Sequence, residues 1–467
     1  MPEPCEKTAV PAAAAPEAVK PISAVDKFRR KLRTSITGKL CLIALIMLLC
    51  QIPVMMISAL RSGRQHRASA VEEEVSSKWG GRQQLTGPIL SIPLEREVTE
   101  TSAKGGVTRV RRFSELQILP ETLKITGKMI PEIRYRGIYE VVLYRSEITI
   151  AGSFAPDWRV PDKFDWKLRP ELAALRLGIA QIKGITSAEL RIGSRERDFA
   201  PGSFPNRQRK MEAIAAPLPE LGDAANRTRR KIDFEIKLAL NGCRSLLFFP
   251  AGKSTRVELA SSWADPSFTG GFLPETRKIT PEGFTASWVV NEYNRNCPGS
   301  WVGDAVDFSR ESCVGVELLR PVNAYLQTER CISYDLLVYL VVLIALLAAE
   351  RLSGVWVHPL QYCIAGLSLV LFYALLLSLG EHIAFPLAYM SAAAVIAVLG
   401  GFYARLIFGG WCAAGCMAAV TALAYGTIYV ILQLEDYALL AGSGLCVVLL
   451  AVVMGFTGKL NRRPQEE

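Results

Sequence analysis

Hydrophobic positions along the chain follow two patterns. One is the long, nearly unbroken apolar run: Leu40 to Leu60, interrupted by Gln51, Pro53 and Ser58, and five more at about 332–350, 360–379, 386–404, 410–432 and 437–457. Each is long enough to cross a hydrocarbon core of about 30 Å as a helix. The other pattern lies within residues 61–331, where β-rich runs recur and the clearest of them alternates apolar with polar residues. In KIDFEIKLAL, Ile232, Phe234, Ile236, Leu238 and Leu240 alternate with Lys231, Asp233, Glu235 and Lys237, the period of a strand with one wet face. YEVVLYRSEITIAGSF, VELASSWADPSF, FTASWVV and CVGVELL add β-rich runs separated by Gly, Pro, Asn and Asp. PELAALRLGIAQIKGI, from Pro170, fits neither period and is assigned to neither state.

These patterns predict a mixed membrane protein. A single N-terminal transmembrane helix precedes a large, predominantly β domain, antiparallel and sandwich-like, and a C-terminal bundle of five transmembrane helices follows. The expected divisions are a Pro/Ala-rich leader with a basic flank at 1–39, helix 40–60, the β domain at 61–331, the helical region at 332–457 and a tail at 458–467. The first span reads as an uncleaved anchor, with cleavage near Ala59 as the alternative.

Charge orients this arrangement. The formal charge is +10 and KFRRKLRTSITGK stands just before the first span, so the N-terminus is expected in the cytoplasm and residues 61–331 outside it. Six crossings return the C-terminus to the cytoplasm. Arg351, Arg405, Lys459, Arg462 and Arg463 fall on that inner side, and the turns at Glu381 and at Glu435 and Asp436 carry no Lys or Arg. The basic excess thus points to a lipid bilayer as partner and not to nucleic acid.

Candidate chemistry is sparse. AGKST, Ala251 to Thr255, resembles the end of a phosphate-binding loop, but Leu247 stands where that loop needs glycine. No G-x-S-x-G, H-E-x-x-H or paired C-x-x-C is present, so no catalytic residue, cofactor or metal is assigned. Cys412 and Cys416 share a helix face without further ligands. Cys297 and Cys313 flank a Trp- and Gly-containing excursion and form the candidate disulfide, with unpaired buried cysteine as the alternative. WADPSFTGGFLPE offers Trp263, Asp265, Phe268 and Glu275 as ligand-binding candidates; the alternative is that both aromatics plug one end of the β core. Glu381 and His382, together with Glu435 and Asp436, occupy predicted outer turns and are read as a polar cap or as ordinary wet turns. Asp335, Glu350 and Arg351 fall toward span ends, which argues against a charged pathway at mid-membrane.

HPLQYCIAGLSLVLFYALLLSLGEHIAF, LEDYALLAGSG, LTGPILSIPL and WADPSFTGGFLP, with the sixfold span arrangement, resemble the bacterial inner-membrane CreD family over roughly residues 40–457. The resemblance implies an inner-membrane protein with a large periplasmic domain, linked to envelope stress and colicin tolerance under a sensor/response-regulator system. It carries no catalytic site. The family's Ser-Glu-His turn reads Gly380, Glu381, His382 here, whereas its Glu-Asp pair is matched at Glu435 and Asp436. The expected function is therefore a non-enzymatic envelope-integrity factor whose periplasmic domain binds or senses an envelope component or envelope protein. A transporter or envelope-precursor handling protein, and an envelope-modifying enzyme, are the alternatives.

Overall fold

The structure, a computed structural model, describes residues 36–101, 107–155, 165–204, 211–224, 231–295, 297–304, 306, 308–319, 324–434, 437, 440–445, 447, 448, 451 and 454. The chain divides into two compact units, 1–62 with 324–467, and 63–323.

The helical unit contains the start of α1 (Ile36–Trp79), then α2 (Ala324–Ile332), α3 (Asp335–Ser353), α4 (Pro359–Leu379), α5 (Phe385–Phe408) and α6 (Trp411–Gln433). Among the described residues α1, α3, α4, α5 and α6 are long and apolar enough to cross a membrane. Of the sixth expected span, 437–457, only residues 437, 440–445, 447, 448, 451 and 454 are among the described ones. Leu48, Met55, Val398 and Leu423 project from these helices into the surroundings. Apolar side chains left outside a helical bundle are suited to lipid, which solvates them as well as a protein core does. The helix ends follow local chemistry. Gly354 and Gly409 adopt φ of +68° and +71° to close α3 and α5. His358 Nδ1 accepts from the Leu360 N–H at 3.2 Å while Gln361 accepts from the His358 N–H at 2.7 Å, capping α4.

α1 does not stop where its apolar run ends at Leu60 but continues to Trp79. At about 1.5 Å per residue it is roughly 66 Å long, about twice a hydrocarbon core. Its last turns belong to the β unit. There Val71, Val75 and Trp79, four residues apart on one face, pack on Val141, Leu143 and Cys243. The Arg134 guanidinium lies 4.2 Å over the Trp79 ring.

The β unit consists of two sheets whose inner faces share one hydrophobic core. The first has ten strands. Its main path runs Pro266–Gly270, Val314–Leu318, Ser245–Phe248, Gln83–Thr101, Ala174–Ile179, Met211–Pro217, Ala200–Phe204. The second has eight, in the order Thr276–Thr280, Gly283–Asn291, Ser254–Ser261, Thr122–Arg136, Tyr139–Phe154, Ile232–Cys243, Ile185–Ile192, Arg195–Arg197. The alternation predicted at 232–240 is realised: Phe234, Ile236, Leu238 and Leu240 are buried, and Asp233 and Lys237 face solvent. Most pairs are antiparallel, but two are parallel, Gln83–Leu85 with Leu246–Phe248 and Thr122–Met129 with Ser254–Ser261. The unassigned stretch from Pro170 resolves into a 3-10 turn, the strand 174–179, a second 3-10 turn and the start of strand 185–192. In LTGPILSIPL, the register against 174–179 shifts between Thr86 and Ile89. Gly87 sits in that bulge at φ +106°, where a side chain would be strained and would crowd the Arg176 carbonyl.

Candidate functional site

The aromatic loop folds inward. Strand 266–270 pairs with 314–318, so Phe268 is carried onto the core, edge-to-face with Phe284 at 5.8 Å and Trp288 at 5.7 Å between ring centroids. Trp263 is half-buried against the same core and donates from Nε1 to the Leu319 carbonyl at 2.9 Å. Gly270 and Gly271 lie so close to the chain at Cys313 and Glu311 that a Cβ on either would fall 2.1 or 2.2 Å from a carbonyl oxygen. Asp265 and Glu275 are exposed. The four candidate residues therefore do not converge: two aromatics pack inward and two acids face solvent. Leu273, at 78% exposure, is the apolar side chain the loop presents outward.

Cys297 and Cys313 are free thiols, and the bridge expected between them is not formed. The Cys313 Sγ points to the Ser309 carbonyl and that of Cys297 to the Pro298 carbonyl, each at 3.5 Å. Burial pushes the thiols up to about 12 and about 11 respectively, so both stay protonated at neutral pH. The AGKST segment has a structural use that its sequence does not show. The buried Arg295 guanidinium donates to the carbonyls of Pro250, Ala251 and Gly252, turning the loop's acceptors onto a cation. Thr255 Oγ1 takes the Gly252 N–H at 2.9 Å.

At the turn between α4 and α5, Glu381 is half-buried and accepts from the Tyr325 hydroxyl at 3.2 Å. His382 is exposed, and its backbone N–H closes the turn on the Leu379 carbonyl. Glu435 and Asp436 lie outside the described residues.

Two arrangements were not foreseen from sequence. The first is a depression on the outer face of the eight-stranded sheet. Register lines up Lys278, Thr285, Ala260 and Lys128 in one row across four strands, and Thr276, Ser287, Glu258 and Thr126 in the next. Ala260 is the small member of its row, and the surface dips there. Two adjoining hollows of about 360 and 590 Å³ share Ala260, Lys278 and Thr285. Their lining mixes the hydroxyls of Thr126, Thr276 and Thr285, the charged Lys278 and Glu258, and apolar Met129 and Leu259. The outward polar positions of FTASWVV were the available signal, but only strand order brings them together.

The second is a series of polar contacts from α1 to α2 and α3. Lys39 forms a buried ion pair with Glu350, which also accepts from the Tyr362 hydroxyl at 2.7 Å. Gln51 Nε2 donates to Asp335 at 2.8 Å, and Arg61 pairs with Glu329 at 2.9 Å. Asp335 and Glu350 sit at the ends of α3, as their sequence positions indicate, but both are 5% exposed and held by side chains of α1. Around them lies a buried aromatic cluster in which Phe372 stacks on Tyr425 at 4.1 Å. Tyr389 donates to the Tyr425 carbonyl at 2.7 Å, and Tyr425 to the Leu369 carbonyl at 3.2 Å.

A bundle of apolar helices with lipid-suited faces, together with a large β unit, defines an integral membrane protein with a β domain. The comparisons give its family. The family described as "Inner membrane protein CreD" matches residues 35–462. Inner membrane protein CreD of Escherichia coli (strain K12) is 30% identical over 421 residues, covering 89% of this chain and 91% of that protein. The chain belongs to the CreD family of inner-membrane proteins.

Proposed function

We propose that the chain is a non-enzymatic envelope-integrity and stress-tolerance factor of the bacterial inner membrane, with both termini cytoplasmic and residues 61–331 periplasmic. In this reading the β unit binds or senses an envelope component. The observation that carries it is the depression around Ala260, Lys278 and Thr285. An open surface that combines apolar contact area from Met129, Ile130, Leu259 and Ala260 with hydroxyls, cations and carboxylates suits an amphipathic, hydrogen-bonding polymer such as an envelope glycan or peptide. The aromatic loop supports that face from within, since Phe268 packs on Phe284 and Trp288 of the strand that bears Thr285 and Ser287. Family membership supports the envelope setting.

The test uses the full chain in lipid nanodiscs, probed with peptidoglycan fragments and envelope glycans. Replacing Thr126, Lys278 and Thr285 by Ala lowers association by about tenfold or more while leaving the unfolding midpoint unchanged, because all three side chains are exposed. Unchanged association removes this face from consideration. Solute flux across the bilayer without envelope binding favours the transporter reading, and a chemically altered glycan in the same mixture favours an envelope-modifying enzyme.

A further inference from the structure

Three polar groups inside the helical bundle lack the partners their chemistry demands. Asp335 opens α3 and is 5% exposed. Its carboxylate accepts from Gln51 Nε2 at 2.8 Å and from the Leu336 N–H at 2.6 Å, both neutral donors. No ion pair reaches it among the described residues, in contrast to Glu350 at the far end of the same helix, which has Lys39. One turn along α3, on the same face, stands Tyr339, fully buried. Tyr373 of α4 is 1% exposed and belongs to the same buried cluster as Tyr339. Among the described residues neither phenol oxygen has a hydrogen-bond partner. The neighbouring buried tyrosines Tyr362, Tyr389 and Tyr425 all have one.

A buried carboxylate compensated only by neutral dipoles is costly, and each orphaned buried hydroxyl adds a further penalty. A single cation held among them would relieve all three. The free lone pairs are hard oxygen donors, and the set carries a single negative charge, which neutralises one positive charge. A divalent ion would leave one positive charge uncompensated in this buried set, whereas a monovalent ion is neutralised by the single carboxylate. We propose that Asp335, Tyr339 and Tyr373 form an intramembrane binding site for a small monovalent cation, Na⁺, with Gln51 fixing the carboxylate. Because Gln51 belongs to α1, occupancy couples ion binding to the packing of α1 on α3. The site is independent of the envelope-binding reading and stands or falls separately from it.

The experiment is thermal unfolding of the full chain in detergent, with NaCl replaced stepwise by choline chloride at constant ionic strength and with KCl and LiCl series alongside. Bound Na⁺ raises the midpoint with the logarithm of its concentration once the dissociation constant is exceeded. Asp335→Asn abolishes that response. Tyr373→Phe removes a hydroxyl that is unsatisfied when the site is empty, so stability in choline is unchanged or higher. The same substitution weakens the apparent Na⁺ affinity by about tenfold, the loss of one ligand. Should Asp335→Asn fail to fold, Tyr373→Phe alone decides the matter. Identical curves in Na⁺ and choline overturn the proposal, as does a full Na⁺ response in Tyr373→Phe. Stabilisation by acid with no response to Na⁺ also overturns it, since the carboxylate then carries only a proton.

Discussion

Removing the Lys39 ammonium isolates what holds α1 to α3. Lys39 and Glu350 keep only 3% and 6% of their side-chain surface exposed, so neither charge is solvated by water if the other is deleted. Lys39→Met leaves the Glu350 carboxylate with the Tyr362 hydroxyl as its remaining side-chain partner. Breaking a buried pair from one side costs about 3–5 kcal/mol, whereas replacing both partners by apolar residues of similar volume is close to neutral. Lys39→Met and Glu350→Leu are thus each strongly destabilising, and the double variant recovers most of the loss, since Tyr362 alone is left unsatisfied. The coupling energy between the two sites is about 3 kcal/mol or more. The assay is a double-mutant cycle on the full chain in detergent, unfolded by a denaturing surfactant and followed by intrinsic fluorescence. A coupling below about 1 kcal/mol refutes the reasoning, because it shows each side chain reaching water or lipid headgroups independently.

In the β unit, Phe268→Ala costs about 3 kcal/mol of stability by chemical denaturation because it removes an edge-to-face partner of Phe284 and Trp288, whereas Asp265→Ala and Glu275→Ala stay within about 0.5 kcal/mol. The pH dependence follows from the half-buried Cys297 and the buried Cys313: their folded pKa values, about 11 and about 12, lie above those of the unfolded chain. Their stabilising contribution is complete below about pH 8.5 and is lost as pH rises through that value towards 11 or 12, because the unfolded chain releases protons that the folded one keeps. Denaturant melts at pH 8 and pH 10 show this fall, and Cys297→Ala reduces it. For topology, single cysteines placed near 200 and 383 in a cysteine-free background react with an impermeant reagent in spheroplasts, and those near 355, 407 and 462 do so only after lysis. The reverse pattern inverts the assigned orientation.

The sequence alone determined what a segment decides for itself. Length and apolarity marked α1, α3, α4, α5 and α6, because a helix crossing lipid satisfies its own backbone and needs only side chains that lipid tolerates. Alternation marked strand 232–243, because pleating sends neighbours to opposite faces whatever the strand pairs with. The continuation of α1 to Trp79 was not read from the sequence, which ended the helix at Leu60, because the polar residues between Val71, Val75 and Trp79 mask their spacing. Tertiary structure decided the rest. The direction in which Phe268 points depends on strand 266–270 pairing with 314–318, and the depression at Ala260 requires four strands in register. Lys39 meets Glu350, and Gln51 meets Asp335, across 311 and 284 residues of sequence. Periodicity reports how one segment divides its residues between two environments. It carries no record of which distant segment supplies the opposite charge, and that choice belongs to the packing of the whole bundle.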